Sequence, residues 1–436
     1  MKIVDIIHKK VQKQSFTKQE IDFFVSQVVK HNVPDYLITS WLMAVYINSL
    51  SKDEAFYLAS AMQTYGDKID LSKFHNKLII DKHSTGGVGD KVTLIMAPIL
   101  AVFGATVAKI SGRGLGFTGG TIDKLHSIGV KTDLSISQML EQLKKHNIVV
   151  ASQTQNITPA DKILYSLRDV TGTVANFGLI ASSILAKKFS ILGTHVYLDV
   201  KYGSGSFCKD FKDAQALISY LRYIAKKMKR RLTIIVSSMD EPLGNAIGNA
   251  IEVKEAVDFL SGNVNKYPDV KKLIYNLVAV ILCEANRKIS RGEAIKLIDN
   301  AIKSKKALNK FYEWVKSQKG NVDLVKKDTY FKPKYHLDIK ANKDGYLDFG
   351  SIAKIGMLST QLGAGRIKKD DIIDTQAGIL LCKKKSDYVK KGEKIAICYS
   401  NKPISKEISN SFIKNCLFLK KKPEVEPVIK KIYYDK

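Results

Sequence analysis

Between about residue 77 and residue 236 the chain switches repeatedly between two periods. Short apolar runs of strand length alternate with segments of helical spacing. The runs are 77–80, 106–110, 148–151, 195–200 and 232–236; the helical segments are 91–103, 135–146 and 213–229. A strand that is apolar along its whole length is buried on both faces. A helix between two such strands returns the chain to start the next in the same direction. The alternation therefore predicts an α/β domain on a largely parallel sheet with helices on its faces. The longest apolar stretch, 92–108, contains Thr93, Pro98, Gly104 and Thr106. It is too short and interrupted to cross a bilayer and reads as a buried helix followed by a strand.

The flanking segments have other textures. Residues 1–65 read as helices only. Thr17-Lys18-Gln19-Glu20 and Ser51-Lys52-Asp53-Glu54 each fit the capping box, and Pro34 opens a third helix with apolar residues on most faces. Residues 159–192 are helical again and interrupt the α/β series. They lack sheet partners, as do the first 65 residues, so the two are expected to pack together. The fold class is then α/β and two-lobed: an all-helical lobe, a larger α/β lobe with a mainly parallel sheet, and a small C-terminal α+β domain. The expected boundaries are 1–65 with the insert 159–192 for the helical lobe, 75–155 and 193–325 for the α/β domain, and 330–436 for the C-terminal domain. The last begins where short strands and Gly turns appear. Its Val389-Lys390-Lys391-Gly392-Glu393 turn resembles that of biotinyl and lipoyl carriers, but no Met-Lys-Met attachment site is present. The Lys-rich tail after Lys420 is expected to be loose.

Composition narrows the function classes. A formal net charge of +28 invites a nucleic-acid reading, yet only eight of the 70 basic residues are Arg and the lysines are spread along the chain. Bidentate phosphate and base recognition leans on Arg, so nucleic acid is not the expected partner; the charge still favours a small anionic substrate. The five cysteines are odd in number and widely spaced, without a metal pattern. They read as reduced thiols, and with no signal-peptide pattern at Met1-Lys2-Ile3-Val4-Asp5 the expected location is the cytoplasm, with no membrane attachment.

Three stretches carry chemistry. "DKHSTGGVGDKVT" (81–93) lies between a strand and a helix, where free amides and the helix dipole favour an anion. Lys82 supplies a point charge, Ser84 and Thr93 hydroxyls, and the glycines let amides turn inward; the alternative is a tight turn without a ligand. "KISGRGLGFTGGTIDKL" (109–125) satisfies GxGxxG at Gly114, Gly116 and Gly119. The helix that follows is short and polar and no acid ends a second strand, so a dinucleotide is not expected. It reads as a second phosphate-facing loop with Ser111 and Thr121, or as a Gly-rich hinge alone. "YSLRDVTGTV" (165–174) and "IASSILAKK" (180–188) place Arg168 on the helical lobe and put Ser183 and Lys187 on one helix face. They fit the polar edge of a planar ligand, or an ordinary surface.

Taken together, "KHSTGGVGD", "SGRGLGxTGGTxDKL", "LYxLRDVTGTV" and "LIASSIxxKK" resemble the thymidine and pyrimidine-nucleoside phosphorylase family. The resemblance covers essentially the whole chain in order, including "LGAGR" in the C-terminal part. It implies homodimers joined through the helical lobe, a cleft closed by hinge motion, and no organic cofactor. The implied reaction is phosphorolysis of a pyrimidine nucleoside to free base and pentose 1-phosphate.

The resemblance also implies residue roles. The phosphate would meet Lys82, Ser84, Thr93, Lys109, Ser111 and Thr121; the nucleoside would meet His83, Tyr165, Arg168, Ser183, Lys187 and Phe207. His83, Arg168 and Lys187 would be catalytic, His83 donating a proton or hydrogen bond to the base as a group titrating near neutrality. Lys109 is similar to the Lys of broad pyrimidine-nucleoside phosphorylases, which implies that uridine is accepted beside thymidine and deoxyuridine; a surface lysine is the plain alternative. Some family members hold a monovalent cation, potassium, whose positions match Gly89, Leu243, Ala246 and Glu255. Lys91 stands where a Thr ligand is common. Further departures are Phe117 for the usual His, His126 for Glu, and Ala175-Asn176-Phe177-Gly178 for Glu-Ser-Ile-Pro. All lie near the expected hinges and cleft. Competing readings are a thymidine-only phosphorylase, a phosphoribosyltransferase of similar architecture, whose "KHGNR" and Asp-Asp-Glu signatures are absent here, and a non-catalytic basic binding protein.

Overall fold

A computed structural model describes the chain except residues 73, 75–77, 115, 118, 154–155, 287, 368–370 and 435–436 and the side chain of Asp169. The start of the first apolar run at Lys77 lies outside the described residues.

The expected alternation becomes a six-stranded sheet. Its edge-to-edge order is Ile429–Tyr433, Leu232–Ser238, His195–Tyr202, Ile79–Ser84, Thr106–Ser111 and Ile148–Ser152. All neighbours pair in parallel except the first, which is antiparallel to Leu232–Ser238. That edge strand comes from the tail expected to be loose. Ile429 and Ile432 pack on the core beneath the sheet, and this apolar contact outweighs the local lysine content. Helices cover both faces. Val92–Val102, Pro268–Ala285 and Lys306–Ser317 belong to one apolar cluster; Phe211–Lys227 joins the other face to the helical lobe.

The helical lobe contains Ile3–Val11, Lys18–Val29, Asp35–Asn48 and Lys52–Thr64, with Pro159–Val170 and Phe177–Phe189 inserted among them. Both expected capping boxes form, at Thr17/Glu20 and Ser51/Glu54. The Ser51 box also has a tertiary role. Glu54 Oε1 accepts the Lys10 ammonium at 2.6 Å and the Phe16 amide at 2.7 Å, in a site where both charged side chains are buried. The lobe meets the sheet where the chain crosses between them. Ile69–Asp70 pairs in parallel with Ile191–Leu192, and the Asp67 amide donates to Asn156 O at 2.9 Å. All three crossings thus meet in one place.

The C-terminal part adds an antiparallel four-stranded sheet, whose edge strand Ala246–Gly248 is lent by the α/β domain, and a three-stranded sheet centred on Gly345–Phe349. Its residues Arg366 and Thr360 reach back to the Gly-rich loop: Arg366 pairs with Asp123 at 3.0 Å, and Thr360 Oγ1 donates to Gly116 O at 3.1 Å.

Removing the Glu54 carboxylate strands a buried ammonium and two amides. Glu54→Ala is expected to cost about 3–5 kcal/mol, measured as a fall in the urea midpoint of the helical lobe's unfolding; an unchanged midpoint would contradict the assigned role.

Candidate active site

The strand Ile79–Ser84 runs into a cavity of about 630 Å³ at the junction of the two lobes. Successive side chains of a strand point to opposite faces, and here that alternation separates two chemistries. Lys82 and Ser84 share one face. The Lys82 ammonium is buried, 3.6 Å from Asp199 and 4.0 Å from Asp90. Asp81 and His83 share the other. Asp81 is wholly buried and pairs with Lys188 of the inserted helix Phe177–Phe189 at 3.1 Å.

The first face meets the N-terminus of Val92–Val102. Thr93 lines the cavity there, and Asp90 Oδ1 accepts the Val92 amide at 3.2 Å. Burial alone would raise the Asp90 carboxyl; Lys82, Lys201, a hydrogen bond from Ser84 and Lys124 together hold it below the ordinary carboxylate range. Ser111 ends the next strand, and Thr121 opens the short helix Thr121–His126. Between them the Gly loop closes on itself, the Gly114 amide donating to Asp123 Oδ2 at 2.6 Å. A Cβ on Gly120 would collide with the Gly114 nitrogen, so the closure needs glycine there. Lys109 is not a surface lysine. It is buried, lines the cavity, and donates to Lys82 O at 2.7 Å. Burial, then Lys188 and Lys82, push its pKa well down.

The facing wall belongs to the inserted helices. Arg168 is buried and donates to Thr173 O at 3.3 Å, Leu179 O at 3.3 Å and Val174 O at 2.7 Å. Lys187 donates to Ser183 Oγ at 2.7 Å and pairs with Asp161; its ammonium lies 5.3 Å from the Tyr165 ring centre. Arg168, Ser183 and Lys187, expected to meet the edge of a planar ligand, do share this wall. Each has protein partners in this structure, and Arg168 spends much of its donor set on backbone carbonyls. Phe207 completes the wall and packs 5.5 Å from Phe117. Every residue expected at the phosphate and nucleoside positions lines this one cavity.

The surroundings of His83 oppose its protonation. Desolvation and then the ammoniums of Lys188, Lys109, Lys187 and Lys82 push its pKa well below the ordinary 6.5, which favours the neutral imidazole and its N–H as a hydrogen-bond donor.

The residues implied for a monovalent cation do not fit one. The Lys91 ammonium donates to Leu243 O at 2.6 Å, Ala246 O at 3.0 Å and Glu255 Oε1 at 3.0 Å. It fills the volume a metal ion would need between those oxygens. Gly89 adjoins them, its φ of +78° and the 2.6 Å a Cβ would leave to Leu243 O both requiring glycine.

Several residues of the site escaped the sequence reading. Lys188, Asp90, Asp81, Asp199 and Lys201 form the charge network around Lys82 and His83. The usable signal was a charge inside an apolar strand, as at Asp199 and Lys201. Lys188 was masked by its neighbour Lys187. The other departures have local explanations. His126 Nε2 lies 2.8 Å from Thr132 Oγ1, which is 2.7 Å from Ser152 Oγ, and Asn176 caps the second inserted helix by accepting the Leu179 amide.

Sequence comparison agrees with this architecture. Residues 4–66 match the model of the glycosyl transferase family helical bundle domain, 76–308 that of the glycosyl transferase family a/b domain, and 346–418 that of the pyrimidine nucleoside phosphorylase C-terminal domain. The chain is 44% identical to a thymidine phosphorylase of Mycoplasmoides pirum, over 94% of this chain and 97% of that protein. It is 43% identical to a pyrimidine-nucleoside phosphorylase of Staphylococcus epidermidis, over 99% of both. The crystal structure of anthranilate phosphoribosyltransferase from Thermus thermophilus shares the fold at a TM-score of 0.56 and 14% identity, covering 72% of this chain and 99% of that one. The chain is a member of the glycosyl transferase family to which the thymidine and pyrimidine-nucleoside phosphorylases belong.

Proposed function

We infer that the protein catalyses reversible phosphorolysis of pyrimidine nucleosides, namely thymidine, deoxyuridine and uridine, to the free base and (deoxy)ribose 1-phosphate. The observation that carries this reading is the two-sided cavity. A phosphate-type wall from the α/β domain faces a base-type wall from the helical lobe, and His83 stands between them.

Orthophosphate is held by Lys82, Ser84, Thr93, Ser111 and Thr121 at the N-terminus of Val92–Val102, where helix dipole and ammonium act together. One phosphate oxygen forms a bond to C1′ as the C1′–N1 bond breaks, and that electron pair goes to the pyrimidine. Positive charge grows on the sugar and negative charge on the base. The neutral His83 N–H, with Arg168 and Lys187, stabilises the leaving base more than the bound nucleoside, which is where rate acceleration arises. Lys187 reaches the base by sharing or leaving Asp161. Tyr165 and Phe207 border the base. Lys109 serves the phosphate and a ribose 2′-hydroxyl, which admits uridine.

The protein acts as a homodimer through its helical lobe. Tyr36, Met43 and Ile47 are spaced for one face of Asp35–Asn48 and are exposed in the single chain, Tyr36 at 70% and Ile47 at 69%. Such a patch is characteristic of an interface. Among the described residues no helix is long and apolar enough to cross a membrane.

Base release from thymidine, deoxyuridine and uridine, with and without phosphate, tests the reaction. His83→Ala is expected to lower kcat about 10²-fold, and base release that ignores phosphate would overturn the mechanism. By ring-proton NMR the free protein's His83 should titrate below 6.5, because burial first and then the surrounding ammoniums disfavour the imidazolium. Bound phosphate should move the titration upward; titration at or above 6.5 without phosphate contradicts the charge assignment. Lys109→Met should reduce kcat/KM for uridine relative to thymidine on the order of tenfold; unchanged selectivity removes Lys109 from sugar recognition. In light scattering the wild type should be a dimer and Ile47→Asp a monomer, and a monomeric wild type would refute the interface.

A further inference from the structure

Lys91 immediately precedes the helix that faces the phosphate position, yet its side chain turns away from the cavity. It is 1% exposed and ends among oxygens from a distant stretch of chain: Leu243 O, Ala246 O and Glu255 Oε1. An ammonium has three N–H donors, and three acceptors at 2.6–3.0 Å take them all. The Glu255 carboxylate also orders the same stretch from beneath, its Oε2 accepting the Asn245 amide at 2.9 Å and the Ala246 amide at 2.6 Å.

This cage adds a polar tie between parts of the fold that also pack together, Ala250–Leu260 against Val92–Val102 in one apolar cluster. Residues 243–246 lead into Ala246–Gly248, the edge strand lent to the C-terminal sheet, where Ala246 pairs with Leu380. The C-terminal Lys384 grips the same loop from outside, donating to Gly244 O at 2.9 Å and pairing with Asp269 at 3.0 Å. Next to Lys91 in sequence, Asp90 caps the helix that carries Thr93. A positive charge in this cage therefore fixes the phosphate-facing turn, the helix Ala250–Leu260 and the C-terminal sheet to one another.

We propose that Lys91 is a covalently attached cation that takes the place of a monovalent metal ion, so that this protein assembles its phosphate-facing turn without potassium. The ammonium supplies the charge that neutralises Glu255 and the donors that satisfy two buried carbonyls. Because it cannot dissociate, the salt composition of the medium does not control the cage. In this mechanism Lys91 is a positioning residue and touches no substrate.

The test compares potassium chloride with choline chloride at constant ionic strength, using the full-length protein and reading both Tm and phosphorolysis. The wild type should show the same Tm, kcat and phosphate KM in both salts. Lys91→Thr vacates the cage. In choline it should have a lower Tm and a kcat/KM for phosphate reduced roughly tenfold or more, and potassium should restore both with saturation. Lys91→Met, which fills the cage without charge, should show the loss without the rescue. A wild type whose Tm or rate climbs with saturation in potassium overturns the proposal. So does a Lys91→Thr protein that matches the wild type in choline. The wild-type comparison decides the matter even where a variant fails to fold. The Tm readout reports on the cage independently of catalysis, so absence of phosphorolysis would count against the assigned reaction and leave the cation test intact.

Discussion

An ammonium buried without a counter-charge is too costly to keep, and much of this molecule is organised around that fact. Lys82, Lys91, Lys124, Lys188 and Lys201 are among its largest fully buried side chains. Each is paired with a carboxylate from another element: Asp199 serves Lys82 and Lys201, Glu255 serves Lys91, Glu252 serves Lys124 and Asp81 serves Lys188. Breaking such a pair costs more than making it returns, so every pair acts as a positional constraint between the strands and helices that contribute to it. The cavity is where these constraints converge.

The arrangement gives the cavity its polarity. Compensated cations around Lys82 prepare a place for an anion without leaving bare charge in the free protein. On the other face of the same strand, burial and then the surrounding ammoniums oppose protonation of His83. On the facing wall Lys187 rests on Asp161 and Ser183, so its ammonium is held in place by protein partners.

The C-terminal domain takes part in this organisation, though none of its described residues lines the cavity. Arg366 and Thr360 hold the Gly-rich loop from one side, and the strand Ala246–Gly248 ties the Lys91 cage from another. The Gly-rich loop, which borders the cavity, is thus also a contact between domains. Phe117, packed on Phe207, adds an apolar contact at the same seam.

Much of this was legible in the linear chain because it depends on near neighbours. The alternation of periods specified the parallel sheet, since strands buried on both faces are mostly apolar, with the few buried charges paired. The capping boxes at Thr17 and Ser51 involve residues three apart. The strand was expected to end at residue 80; only the folded chain extends it through Ser84, so that Lys82 and Ser84 face one way and His83 the other. What required the folded molecule acts across space. The partners of Lys91 lie more than 150 residues away, and nothing in "GDKVT" says that its ammonium fills a cation position. The lowered proton affinity of His83 comes from burial first, and then from lysines of two strands and a helix of the other lobe. The tail strand Ile429–Tyr433 finds its place only because an apolar edge of the sheet awaits it. Local pattern decides which elements form and which way their side chains face; electric fields and long-range packing decide what those side chains can then do.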